Sequence, residues 1–120
     1  MNYQTQNKKH KFDLEGRTLA FARNVRDMVN KLPKTIVNRE YCKQLIRSSS
    51  SIGANYIEAN EALGKKDFKM RLRIARKEAK ETIYWLNLIT TPNNTTAVRK
   101  LAVEATELLK ILSAILEKAQ

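Results

Sequence analysis

The strongest fold signal in the chain comes from residues 66–90, which read KDFKMRLRIARKEAKETIYWLNLIT. Apolar or small side chains recur there at alternating steps of three and four residues: Phe68, Leu72, Ala75, Ala79, Thr82, Leu86 and Ile89. This spacing places side chains on one face of an α-helix, in the seam of a left-handed helical bundle. We therefore predict a helix of about 25 residues that is ~37 Å long at 1.5 Å per residue.

Three other segments share this periodicity, although the seam of the second segment is diluted by small polar residues. The seams are Phe21, Val25, Met28 and Leu32; Tyr41, Leu45, Ser48, Ile52, Tyr56, Ala59 and Leu63; and Val98, Leu101, Ala105, Leu108, Leu112 and Ile115. Pro33, Gly64 and Pro92 separate the segments, and we expect Gly64 to be a left-handed C-cap of the second helix. Connections of about 2 to 8 residues favour antiparallel neighbours. The sequence predicts an all-α, antiparallel up-down-up-down four-helix bundle.

Length and composition indicate one domain. The 120 residues are 42% hydrophobic and 29% charged, with 3 Gly and 2 Pro, which argues against disorder and against a many-stranded β fold. We expect residues 1–11 to be a polar, disordered tail and residues 12–120 to be the bundle domain. A single cysteine and the lack of an apolar leader after the polar start predict a cytoplasmic protein. The uncharged residues 82–98 contain Pro92 and a polar cluster, so no membrane span is expected.

The residue types needed for catalysis or metal binding are scarce. His10 and Cys42 are the sole histidine and cysteine, too few for a di-iron or tetrahedral zinc site. The run Ser48-Ser49-Ser50-Ser51 lacks a histidine base on the predicted helices, and we interpret these serines as packing residues, with a Ser–Lys pair as the alternative. Cys42 is expected to be a small buried side chain. We therefore expect no enzyme activity, no catalytic residues, no metal and no cofactor.

The centre of the second helix combines small residues with a polar stripe. Serine and glycine inside a helix each cost roughly 0.5 to 1 kcal/mol relative to alanine, so Ser48–Ser51 and Gly53 predict a close helix crossing within the bundle or in an oligomer. The polar stripe consists of Gln44, Arg47, Ser51, Asn55 and Glu58. We interpret it as an internal hydrogen-bond network, with Arg47 and Glu58 satisfied by neighbouring helices. A ligand or catalytic site, such as a nuclease using Glu58 with Arg47, is the alternative.

Positive charge is concentrated in the third helix. Residues 65–80 hold eight cations against Asp67 and Glu78, a local net charge of +6 in a chain of +11. We name as the basic row the acid-free series Lys66, Lys69, Arg73, Arg76 and Lys80. Each adjacent like-charged pair costs about 0.2 to 0.5 kcal/mol in an exposed helix unless counter-charges arrive. The candidate counter-charges are a nucleic-acid backbone bound by Lys65 and the row, or carboxylates of other helices or subunits: Glu58, Glu61, Glu104 and Glu107.

Aromatic and further apolar residues point to association rather than to base recognition. Tyr84 and Trp85 lie farther along the third helix, away from the basic row, so the sequence does not show a base-stacking platform. A second apolar face on the third and fourth helices predicts a homo-oligomer; its residues are Ile83, Tyr84, Trp85, Leu88, Ala102, Leu109 and Leu116.

Most of the chain after Phe12 resembles a known family. Residues 44–59 (QLIRSSSSIGANYIEA), Asp67-Phe68, 72–79 (LRIARKEA) and 81–86 (ETIYWL) are similar to bacterial four-helix-bundle proteins first noticed in intervening sequences of large-subunit ribosomal RNA genes. The resemblance implies short up-and-down bundles that assemble as homopentamers. Distant relatives include basic accessory proteins of diversity-generating retroelements, which bind nucleic acid and a reverse transcriptase. The family has no agreed active site.

These observations lead to two hypotheses. In the first, a non-enzymatic homo-oligomer, pentameric by the resemblance, binds RNA or DNA without sequence specificity through Lys65 and the basic row. In the second, the protein is an interaction scaffold whose charges are consumed by subunit contacts and an acidic protein partner, without nucleic-acid binding.

Overall fold

The computed structural model describes residues 13–120, which form four α-helices and no strand. The helices are α1 (Leu14–Asn30), α2 (Ile36–Asn60), α3 (Lys65–Ile89) and α4 (Thr95–Lys118). Each helix packs against its neighbours in the chain, and α1 closes the bundle against α4. The predicted all-α four-helix bundle is confirmed. The expectation of a disordered tail at residues 1–11 lies outside the described residues.

Local chemistry sets the helix boundaries. At the start of α1, Asp13 accepts a hydrogen bond from the Gly16 amide at 3.0 Å, and at the start of α2, Thr35 accepts one from the Asn38 amide at 3.1 Å. The expectation for Gly64 is wrong. Helix α2 ends at Asn60, and Gly64 is the extended N-cap of α3, with φ −146°. The four residues between the helices leave room for a turn before α3 begins.

The core is built from the predicted seams, except that Leu63, predicted in the second seam, lies beyond the end of α2 and is fully exposed. Leu72, Ala75, Ala79, Thr82 and Leu86 of α3 are fully buried, and corresponding residues of the other helices pack against them. Completely burying a leucine side chain contributes roughly 1.5 to 3 kcal/mol, so the periodic seams are the main source of stability. None of the helices is long and apolar enough to span a membrane within the part of the chain described.

Helix α2 approaches its two neighbours closely at its centre. A Cβ atom at Gly53 would lie 2.7 Å from Thr18 Oγ1 and 3.0 Å from Thr18 Cβ, so only glycine fits against α1 there. On the side toward α3, the buried hydroxyls of Ser48 and Thr82 lie 2.9 Å apart and share a hydrogen bond. The small residues of α2 therefore serve the close crossing inside the bundle.

Helices α1 and α4 are less tightly joined. An open groove of about 1240 Å³ runs between them, with Phe21, Met28 and Leu101 among its apolar lining residues. At one place Arg17 bridges the two helices through a two-pronged ion pair with Glu104, with N–O distances of 2.7 and 2.8 Å. The α1–α4 side is thus the open side of the bundle.

Candidate nucleic-acid interface

The seam of α3 separates two flanks of the helix that have different neighbours. The flank that faces α2 carries Arg71, Glu78, Glu81 and Trp85, whose partners lie on α2. The flank that faces α4 carries the basic row. We refer to these as the paired flank and the cationic flank.

The cationic flank lies at the surface. Lys65, Lys66, Arg73 and Lys80 are exposed, whereas Lys69 and Arg76 are half-buried. The Lys69 ammonium donates a hydrogen bond to the neutral side chain of Gln120 at 3.3 Å. Within residues 13–120, none of these cations forms an ion pair with a carboxylate. The charge of the row is therefore not neutralised by the described part of its own chain.

The acidic residues that could have neutralised the row are directed elsewhere. Glu104 pairs with Arg17 of α1, and Glu107 lies 3.5 Å from the Lys110 ammonium one turn along α4. Glu58 and Glu61 are exposed near the end of α2 and form no ion pair within the described residues. Within the described residues, no carboxylate therefore neutralises the basic row. Its counter-charge comes from solvent ions or from a partner.

A shallow groove lies between the cationic flank and α4. Its volume is about 360 Å³, and Arg73, Arg76, Lys77 and Lys80 line it from α3. Helix α4 contributes the neutral side chains of Leu109 and Ser113. Several cations beside a neutral wall produce a positive potential that attracts an extended polyanion. Lys77 was not among the residues selected from the sequence, although the steps of three and four place it beside the row.

The paired flank balances its charges across the α2–α3 contact. The Arg47 guanidinium lies 3.8 Å from Glu78 Oε1 and 3.4 Å from Glu81 Oε2. The Glu78 side chain is only 9% exposed, and its Oε1 accepts no hydrogen bond within the described structure. Burial raises the pKa of Glu78, the adjacent Glu81 raises it further, and Arg47 opposes both effects. Sequence periodicity did not mark Glu78, because it lies beside the apolar seam rather than in it.

The polar stripe of α2 lies at the rim of this contact rather than inside the bundle. Arg47 also donates to Gln44 at 3.4 Å, and Asn55 accepts from Arg71 of α3 at 3.4 Å. Ser51 donates to the Arg47 carbonyl of its own helix. Glu58 is exposed and forms no ion pair with a neighbouring helix within residues 13–120, so it departs from the expected network.

The nuclease alternative requires Arg47 and Glu58 to act together. They are eleven residues apart on α2, about 16 Å at 1.5 Å per residue, and Arg47 is engaged with Glu78 and Glu81. The geometry therefore does not bring these two side chains to one site.

The remaining candidate groups do not form a reactive centre in the described structure. Cys42 is buried, and burial raises the pKa of its thiol while nearby Lys34 opposes that effect. A raised pKa keeps the thiol protonated and unreactive at neutral pH. No cluster of three or more potential metal ligands occurs among residues 13–120.

Fold and surface together define a small basic helical-bundle protein with an unneutralised row of cations along one helix. Residues 10–114 match the family described as 23S rRNA-intervening sequence protein. Because the match spans most of its length, the chain belongs to this family.

A solved structure supports the same assignment. It is the crystal structure of a protein with unknown function from the S23 ribosomal protein family of Bacteroides thetaiotaomicron, which is 33% identical to this chain. The match covers 85% of this chain and 96% of that one, with a TM-score of 0.72. Among curated proteins, none matches the chain.

Proposed function

We propose that this protein is a cytoplasmic, non-enzymatic homo-oligomer, pentameric as the family resemblance implies, that binds RNA or DNA without sequence specificity through its cationic flank. The observation that carries the proposal is the set of row cations with no carboxylate partner in residues 13–120. Lys65, Lys66, Lys69, Arg73, Arg76 and Lys80 are the residues that contact the backbone phosphates.

Charge makes a polyanion the favoured partner. Five copies of the +11 chain carry +55, and a surface of that charge attracts phosphates strongly at low ionic strength. Each neutralised phosphate releases a counterion, so the logarithm of the affinity falls linearly with the logarithm of the salt concentration. Lysine and arginine side chains are frequent ligands of backbone phosphates, which carry no sequence information, and this fits binding without sequence specificity.

The first test is a titration of duplex and single-stranded RNA and DNA at several salt concentrations, followed by gel shift. We expect retention at low salt that falls steeply as salt rises. No retention at low salt, or retention without a salt slope, contradicts the proposal. Light scattering checks the oligomer, for which a pentamer has a mass five times that of the 13.8 kDa chain.

The second test reverses the row. The triple variant Lys69→Glu, Arg73→Glu, Arg76→Glu should weaken retention by about 100-fold or more at low salt and leave the oligomer mass unchanged. A matched control makes the same charge change at exposed cations on α1 and before or within α2, namely Arg23→Glu, Lys34→Glu and Arg39→Glu. Equal loss in both variants would show that net charge, not the row, determines binding.

A scaffold that binds acidic proteins gives a different result. The freshly purified oligomer would then show the ultraviolet absorbance ratio of protein alone, and acidic proteins would co-purify with it. Bound nucleic acid, by contrast, raises the absorbance at 260 nm relative to 280 nm, and nuclease treatment removes the excess.

A further inference from the structure

An exposed aromatic ring lies one turn beyond the end of the basic row. Tyr84 lies four residues after Lys80, and residues four apart are neighbours on the same side of a helix. It is 59% exposed, and it is the sole aromatic side chain in residues 13–120 that is exposed rather than buried or half-buried. Tyr84 therefore borders the cationic flank, one turn beyond Lys80 and two turns beyond Lys77.

The ring of Tyr84 is held in place from the protein side. It contacts Trp85 in an edge-to-face arrangement, with ring centroids 5.2 Å apart and an angle of 74° between the planes. Trp85 in turn packs against Tyr41 of α2 at 6.0 Å. Such edge-to-face contacts stabilise an aromatic pair beyond the burial of area, which favours this position of the ring. The nearby carboxylate of Glu81 is occupied by Arg47, so the acid next to Tyr84 does not repel a phosphate with its full charge.

We propose that Tyr84 is a base-stacking residue and that the cationic flank prefers single-stranded nucleic acid. This inference rests on the nucleic-acid binding proposed above and adds the class of strand. The cations hold the phosphates of an extended strand, and one unpaired base stacks on the Tyr84 ring. A positively charged groove next to an aromatic ring is the usual arrangement for binding single strands. In a duplex the base faces are covered by their neighbours and cannot reach a ring at the surface.

The test compares the full-length chain with three variants. Tyr84→Ala removes the ring, Tyr84→Phe keeps it, and Leu19→Ala removes a similarly exposed apolar side chain on α1, away from the cationic flank. The probes are single-stranded RNA and DNA of one sequence, the matching duplexes, and an abasic single strand that retains its phosphates. Binding is measured by fluorescence anisotropy at several salt concentrations, and light scattering checks the oligomer.

We expect the unmodified protein to bind the single strands more tightly than the duplexes. Tyr84→Ala should weaken single-strand binding by about 5-fold or more, without changing duplex or abasic-strand binding. Its salt slope should stay the same, because no phosphate contact is lost. Tyr84→Phe and Leu19→Ala should bind like the unmodified protein. Weaker binding of Tyr84→Ala to either the RNA or the DNA single strand meets the expectation.

Other outcomes separate the two proposals. If the unmodified protein retains no probe at low salt, the proposed function itself fails. If it binds with a salt slope but Tyr84→Ala binds the single strands unchanged, or loses duplex and abasic binding equally, the stacking role is wrong. A changed oligomer mass in Tyr84→Ala would make Tyr84 a subunit contact and would also overturn the stacking role.

Discussion

The two flanks of α3 carry charged residues in opposite ways. Toward α2, Glu78 and Glu81 face Arg47, and the aromatic pair Trp85 and Tyr41 packs beside them. Toward α4, the basic row faces a neutral wall and forms no ion pair within residues 13–120. The paired flank joins two helices of the bundle, whereas the cationic flank leaves its charges for solvent or a partner.

The residues of the paired flank stabilise the fold, whereas the cations of the basic row lower its stability. The four adjacent pairs of the row repel one another by about 1 to 2 kcal/mol in total at low salt. That cost is a notable fraction of the 5 to 15 kcal/mol by which proteins of this kind are typically stable. A cost without a folding benefit is typical of a binding surface.

The largest effect is expected in the seam between the flanks. Leu72 is fully buried, and Leu72→Ala should lower the free energy of unfolding by about 2 to 5 kcal/mol through lost burial and a residual cavity. Urea denaturation followed by circular dichroism measures the change. A loss below about 1 kcal/mol would mean that the seam is not the main source of stability.

The next effect concerns the buried hydroxyl pair between α2 and α3. Thr82→Val keeps the shape of the side chain but removes its hydrogen bonding to Ser48 and to the Glu78 carbonyl, so we expect a loss of about 1 to 2 kcal/mol. The double variant Ser48→Ala, Thr82→Val removes both hydroxyls and should recover part of this loss. If the double variant loses the sum of what Ser48→Ala and Thr82→Val lose separately in urea denaturation, the two hydroxyls are not coupled.

Removing positive charges from the basic row should raise the free energy of unfolding rather than lower it. Arg73→Gln with Arg76→Gln removes three of the four repulsive pairs and should stabilise the chain by about 0.5 to 1.5 kcal/mol at low salt, less at high salt. The matched control on the paired flank, Arg47→Gln, should destabilise the protein instead, because it removes the partner of Glu78 and Glu81. Thermal unfolding at two salt concentrations distinguishes the signs.

The smallest effect is the pH dependence contributed by Glu78. Its pKa in the folded state is raised above the ordinary 4.5, so its contribution to stability is complete below that pH and is lost as the pH rises through the folded value. Glu78→Gln should flatten this fall and stabilise the protein slightly at neutral pH. Urea midpoints measured between acid and neutral pH check the sign, and an unchanged pH profile would contradict it.

The sequence predicted the helices well because apolar periodicity reports directly on burial. The seam of α3, from Phe68 to Ile89, is buried as its spacing required. Gly64 was assigned wrongly because glycine suits both a C-cap and an extended N-cap, and four residues separate α2 from α3. The partners of Glu104 and Glu107 depend on which helix lies beside each flank, and spacing within one helix does not contain that information.

Spacing within one helix also did not identify two residues at the candidate site, Glu78 and Tyr84. Spacing identified the row, but the burial of Glu78 and the exposure of Tyr84 depend on how closely α2 covers its side of α3. Tyr84 lies one turn beyond Lys80, and its distance along the chain from the middle of the row concealed that it borders the cationic flank. The packing of neighbouring helices, rather than the periodicity of one helix, determines whether the side chains of Glu78 and Tyr84 are buried or exposed.

The open side of the bundle has a consequence for how the protein unfolds. Helix α1, with 17 residues, is the shortest of the four described helices, and water reaches the groove that separates it from α4. Its anchors are few: Arg17 to Glu104, Thr18 against Gly53, and Asn60 to Glu15 at 3.0 Å, in addition to its apolar seam. Segments with less protection open before the whole molecule does. In amide hydrogen exchange, α1 should thus lose its protection first, while α2 and α3 keep theirs until global unfolding.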